Sequence, residues 1–329
     1  MTSLRPDDVR DDVGWSVLYL ALPVAVWSGG FLRPVLAVLT ILLIGAGGLA
    51  AAWPVTRGRG GWKLTAVSCG AGCAVLAATG FPGGPFPLDW IKHWAVLEAL
   101  AERPWPVVET IFGSREYLRY YLGGYVVPAL AHKLFPAVGA PAFLVLWLLG
   151  GLVLMFRRIG AIGATWRQGA CGMLLFLALA GAEVYLAKYV PVNRAGPWLG
   201  LHYDSWATMM RMPLEFSSML TLLVWVPTQG IPTFLVTGLL VSALRGGALA
   251  PVFLTYGLLT LFSPYGALGL LPLIVTLALR RWRELWRWRS TSPPTCRRGG
   301  CASPASGAMV GNSSGSASSW SWGCCPTCS

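Results

Sequence analysis

The chain has 329 residues, of which 55% are hydrophobic and only 12% charged, with a formal net charge of +12 and a mean hydropathy of +0.60. A soluble domain carries about 25% charged residues, so this composition excludes an ordinary water-soluble protein and points to a polytopic membrane protein. The basic excess does not indicate nucleic acid: Arg57, Arg59 and Lys63, then Arg157, Arg158 and Arg167, then the run from Arg280 to Arg289 lie between apolar runs, as in loops kept on the cytoplasmic side.

Residues 1–13 are polar. Apolar runs follow at 14–32 and 35–53, divided by the turn Arg33-Pro34. No small-residue cleavage site follows a short apolar core, so the first run reads as an anchored helix. Further runs lie at 64–79, 142–156, 169–190, 218–244, 248–261 and 267–279. Measured against the roughly 20 residues that cross a hydrocarbon core, these predict an all-α transmembrane bundle of about eight spans. Keeping the basic loops inside puts the N-terminus, 157–168, Arg245 and 280–289 in the cytoplasm of a cell with this chain in its inner membrane. Residues 81–140, 191–216 and 263–265 are then outside.

The stretch 120–134 is apolar but interrupted by Pro128 and bracketed by Arg119 and Lys133. It is expected to lie half-inserted in the external leaflet, with Tyr117, Tyr120, Tyr121 and Tyr125 at headgroup level. Beyond Arg289 the segment 290–329 is rich in Ser, Gly, Pro and Cys and has no apolar periodicity. It is expected to stay disordered, either as a natural tail or as out-of-frame sequence past a truncation. Its CxxC, Cys325 to Cys328, lacks a second half-site for zinc. Cys69 and Cys73, four residues apart, read as small apolar residues in a span.

Residues 81–134 form the only long segment that mixes carboxylates, bases and aromatics. A helix over 88–103 would carry Trp90, Trp94, Leu97 and Ala101 on one face and is expected to gather Asp89, Lys92, His93 and Arg103 on the other. The aromatic face would lie on the membrane and the polar face would look into an external cavity. The plainer reading is a solvated helix with Asp89 and Lys92 as an i,i+3 pair.

Asp89, just after a span and beside a Pro/Gly-rich turn, is the candidate general base. Lys92, His93 and Arg103 are donors suited to a phosphate. Glu98, Glu102 and Glu109 are weaker candidates, and Glu116 with Arg119 reads as a structural pair. The second external loop holds Arg194, His202, Asp204, Arg211 and Glu215. His202 and Asp204 lack a third ligand at a recognisable spacing, so no metal site is assigned; a divalent cation remains compatible with the segment. His202, Arg194 and Arg211 are counted as substrate-binding candidates, the arginines for a diphosphate. In Trp225-Val226-Pro227-Thr228-Gln229-Gly230-Ile231-Pro232 two prolines and a glycine break an apolar run. Such breaks occur where backbone lines a cavity or is covered by protein, which would turn Gln229 toward that cavity.

The strings DWIKHWAVLEALAERPWPV and REYLRYYLGGYVVPALAHKLFP resemble the first external loop of bacterial membrane proteins related to GT-C glycosyltransferases. EFSSMLTLLVWVPTQGIPTFL is similar to a later segment of the same proteins, and the resemblance covers roughly residues 80–285. It implies a multi-helix fold with external juxtamembrane helices and transfer of a sugar from a polyprenyl-phosphate donor to an external acceptor. By the same resemblance Asp89 takes the place of the family's acidic base, and Lys92, His93 or Arg211 that of its lipid-phosphate contacts. The partners implied are membrane lipid and a lipid-linked sugar. The alternatives are a transporter or flippase of a lipid-linked glycan, and a truncated membrane protein without activity.

Overall fold

A computed structural model describes residues 6–52, 61–80, 89–111, 114–163, 165–179 and 219–282. Arg33-Pro34 ends one helix and opens the next: α1 is Pro6–Phe31 and α2 is Pro34–Ala52. Proline fits the first helical turn, where its missing N–H is not needed. α3 (Trp62–Ala78) and α4 (Asp89–Glu102) follow. A hairpin of β1 (Val108–Ile111) and β2 (Ser114–Tyr117) comes next, with Val108 opposite Tyr117 and Thr110 opposite Arg115. After a short 3₁₀ turn at Leu122–Gly124 come α5 (Val126–Leu134), α6 (Ala140–Gly160) and α7 (Trp166–Ala178). The last four are α8 (Met219–Trp225), α9 (Pro227–Leu244), α10 (Ala250–Leu259) and α11 (Pro264–Arg280).

The fold is predominantly helical, and the hairpin corrects the all-α expectation. Val107, Val108, Thr110 and Ile111 are branched residues that favour extended backbone, but the strands are too short for an alternating pattern to stand out. Among the described residues three helices are long and apolar enough to cross a membrane: Asp12–Phe31, Ala140–Gly160 and Pro227–Leu244. The apolar helices Pro34–Leu49, Trp62–Ala78, Ala250–Leu259 and Pro264–Arg280 are shorter. The run expected at 218–244 is divided into α8 and α9 at Val226-Pro227, where the prolines pointed. The rest of the 169–190 run, the 191–216 loop and the tail 290–329 lie outside the described residues.

α6 is the central post. Leu144, Leu148, Leu152, Met155 and Phe156 are fully buried along it, and it packs against α1, α3, α4, α5, α7 and α9. The i, i+4, i+8 spacing of the three leucines keeps them on one stripe. Gly151 lets α1 and α9 come close, since a Cβ there would lie 2.8 Å from Ile231 and closer still to the Tyr19 hydroxyl. The far side of the bundle is apolar and open: Val35, Leu36, Leu39, Leu42 and Leu43 of α2 are all exposed. A monomeric soluble protein rarely shows so continuous an apolar surface, whereas hydrocarbon solvates it without cost.

The 120–134 segment departs from the expectation of an external leaflet helix. It is docked inside the bundle, with Tyr125, Val126 and Ala129 fully buried against α1, α4 and α6. Two glycines make that possible. A Cβ on Gly123 would lie 2.7 Å from the Phe262 ring, and one on Gly124 2.6 Å from Thr228 Cβ. The Gly123 N–H also donates to Leu261 O at 3.1 Å. The polar end of α5 closes on α4: Lys133 Nζ donates to the carbonyls of Ala101 (2.9 Å) and Arg103 (2.7 Å), and His132 stands 3.3 Å from Glu102. Only Tyr117 of the four tyrosines is exposed, Tyr120 and Tyr121 being half-buried; Tyr125 is a core residue. Gly124→Val should therefore destabilise the fold by about 1–3 kcal/mol through overpacking, seen as a lower thermal midpoint of the detergent-solubilised protein.

Candidate functional site

Breaking a helix inside an apolar core frees carbonyl groups that must find donors. Val226 leaves helical geometry (φ −132°, ψ 53°) and Pro227 brings no N–H, so the last carbonyls of α8 lose their usual partners. Two side chains of α4 meet them. Trp90 Nε1 donates to Val224 O at 2.8 Å, and His93 Nε2 donates to Trp225 O at 2.8 Å. Trp90 and His93 sit three residues apart, hence on one helix face, and both are buried at 0% and 1% exposure.

With Nε2 donating, the neutral imidazole presents Nδ1 as an acceptor. The Tyr125 hydroxyl lies on it in a short hydrogen bond and is 3.2 Å from Thr228 Oγ1. Burial pushes the Tyr125 phenol well above its ordinary range, so it remains a donor. The Thr228 hydroxyl then donates to Tyr125, Tyr125 donates to His93, and His93 donates to Trp225. The rings of His93 and Tyr125 stack at 5.9 Å, and Trp90 meets His93 edge-on at 5.3 Å. This directed chain ties α4, the 3₁₀ turn before α5 and both sides of the helix break into one unit.

The expected polar face of α4 changes accordingly. His93 belongs to the buried side with Trp90, Val96, Leu97, Leu100 and Ala101, because position i+3 lies only about 60° round the helix from i. Its two nitrogens are engaged within the protein, so it is not an open phosphate donor in this conformation. The aromatic face expected to lie on the membrane instead packs on α5 and α6. Asp89 is the first residue of α4, one residue before Trp90, and its side chain lies outside the described set. Lys92 is exposed on the same turn. Arg103 is exposed just past the other end of the helix, roughly 20 Å from Asp89 at 1.5 Å per residue, so a shared azimuth does not bring the two into one site. Gln229 is half-buried in the first turn of α9, beside the break, and its carbonyl accepts from Thr233 Oγ1 at 2.8 Å.

Arg194, His202 and Arg211, with Asp204 and Glu215, lie outside the described residues. Among the described residues no group of three His, Cys, Asp or Glu side chains is placed to hold a metal ion. Glu116 and Arg119 pair at 3.6 Å on the surface. Two apolar grooves flank α1, one of about 620 Å³ against α2 and one of about 420 Å³ against α6. The sequence reading missed Thr228 and the core role of Tyr125. The signal was the break itself, since freed carbonyls call for N–H donors and Trp90 with His93 supplies them at one-turn spacing. No family model, curated protein or solved structure matches the chain.

If the chain is coupled as described, removing either end exposes the same deficit. His93→Ala is expected to cost about 1–3 kcal/mol for the carbonyl left unmet. Tyr125→Phe should cost less, and the two together should fall short of their sum by about 0.5–3 kcal/mol. Unfolding midpoints of the two single variants and the double variant measure this directly.

Proposed function

We propose that the protein is a membrane glycosyltransferase of GT-C-like architecture. In this reading it moves a sugar from a polyprenyl-phosphate donor to an acceptor on the external face, with Asp89 as general base. The observation that carries the reading is the anchoring of the start of α4. Trp90 and His93 fasten that turn to the α8–α9 break, so Asp89 and Lys92 stand on a rigid element beside broken backbone and the partly buried Gln229. A base must be held within hydrogen-bond reach of the hydroxyl it activates, and this fastening supplies the rigidity. Lys92 is the phosphate donor of choice on that turn, with Arg194, His202 and Arg211 of the second external loop as further contacts.

The fold supports the reading at the level of polarity as well. Hydrogen bonds gather the first turns of α1 and α3 and the last turns of α6, α9 and α11 at one end, where Arg157, Arg158 and Arg281 lie. The α4 assembly is bonded to the start of α9, and the start of α9 meets the start of α11, where Gly266 touches Thr233. Under the positive-inside rule the arginine end is cytoplasmic, in the inner membrane, and the α4 assembly is external. Transfer is preferred to ion-coupled transport of a lipid-linked glycan because the Val224 and Trp225 carbonyls are already satisfied by side chains. Transporters instead leave such carbonyls to coordinate the ion.

Asp89→Asn is the direct test. Membranes carrying the variant, given a labelled polyprenyl-phosphate sugar, should lose roughly 10²–10⁴-fold in sugar transfer while the protein is inserted at the normal level. Wild-type rates in that variant would remove Asp89 as the base, and movement of the label across the bilayer without release of carrier phosphate would mark a flippase.

A further inference from the structure

The arginine end of the bundle holds a buried charge whose hydrogen bonds the protein meets only in part. Arg158, near the end of α6, is 6% exposed. Its Nε and Nη1 reach Ser16 Oγ of α1 and Ser242 Oγ of α9, each at 3.4 Å, long for hydrogen bonds. Both hydroxyls spend their own protons on the preceding turn, Ser16 on Asp12 O at 2.6 Å and Ser242 on Gly238 O at 3.0 Å, and so offer Arg158 only lone pairs. Nη2 is buried and has no hydrogen-bond partner among the described residues.

The nearby carboxylate is committed elsewhere. Asp12, 3% exposed, bonds Arg157 Nε at 2.9 Å, and Arg157 also holds Thr65. A guanidinium this deeply buried is costly even with the charge of Asp12 acting on it, and in native proteins an orphaned buried donor marks a missing water, ion or ligand. The fork geometry of arginine suits two oxygens of one anion. Gly238 lets α9 pack closely on the Arg158 stem, since a Cβ there would lie 3.2 Å from Arg158 Cδ. Basic sites between helices at a membrane boundary take lipid phosphates.

We propose that Arg158, with Ser16 and Ser242, is a binding site for a phosphate group at the arginine end of the α1–α6–α9 seam. A phosphodiester headgroup of an anionic lipid or a free phosphate presents the same oxygens. The site is separate from the α4 assembly and does not depend on the transferase reading.

The test uses the full chain purified in a neutral detergent and follows its thermal midpoint. One arm adds phosphatidylglycerol, a second adds phosphatidylcholine with the same acyl chains, and a third adds inorganic phosphate. Phosphatidylglycerol is expected to raise the midpoint by several degrees and phosphatidylcholine by less. Arg158→Gln should lose the rise, whereas Arg167→Gln, an exposed basic residue at the same end, should keep it. An Arg158-dependent rise with inorganic phosphate alone supports the site and names the free ion as its source.

Ser16→Asp provides a check that keeps Arg158 in place. It puts a carboxylate beside Nε, and it should raise the midpoint without added anion and abolish the response to phosphatidylglycerol. Should wild type respond to neither anion, or Ser16→Asp keep the full response, the proposal is overturned. If Arg158→Gln fails to fold, the Ser16→Asp result decides.

Discussion

The fold depends on how a broken helix is made tolerable inside apolar surroundings. Each carbonyl released at Val226-Pro227 would cost about 1–3 kcal/mol if left dry, and inside the packed bundle the donors must come from the protein. Trp90 and His93 answer two of them from another element more than a hundred residues earlier in the chain. That requirement fixes the rotation of α4. Once Trp90 and His93 face the break, Leu97, Leu100 and Ala101 follow into the core by helical periodicity, and Lys92 is left facing outward. The rest of the assembly is arranged round this contact: Tyr125 must be buried to meet His93, and Gly123 and Gly124 let its segment approach Phe262 and Thr228 closely enough.

The elements themselves were largely legible in the sequence. Pro34 and Pro227 punctuate helices for a local reason, and the amphipathic pattern of 88–103 does predict α4. What escaped were statements about which atom meets which. His93 was placed with the polar residues because imidazole is polar, yet its partner is a backbone carbonyl, which has no sequence identity. Segment 120–134 suggested a leaflet helix from its length and flanking charges. Its true neighbours, Leu261 O, Phe262 and Thr228, are remote in the chain and leave no local mark. Arg103 shows a different limit: helical azimuth is legible in sequence, yet a shared azimuth leaves Arg103 at the far end of α4 from Asp89, roughly 20 Å away.

The two ends of the bundle treat buried polarity in opposite ways. At the α4 end each donor in the chain from Thr228 through Tyr125 and His93 to Trp225 has an acceptor, and each member fixes the orientation of the next. A network that is complete rigidifies its surroundings, so the head of α4 is held firmly on the elements beneath it. At the arginine end the Asp12–Arg157 pair is closed, whereas Arg158 beside it makes only long hydrogen bonds and leaves its buried Nη2 without an acceptor among the described residues.

That contrast bears on where adaptability can reside. Rearranging the α4 assembly would break several mutually oriented bonds at once, so motion there is opposed by the whole set. At the arginine end the deficit is local, and an anion would improve the energy of the state that binds it without disturbing any bond already made. A ligand can shift a protein only by the difference in its affinity for the available states. The difference is largest where the unliganded state leaves a charged donor unmet, and among the described residues Arg158 Nη2 is one.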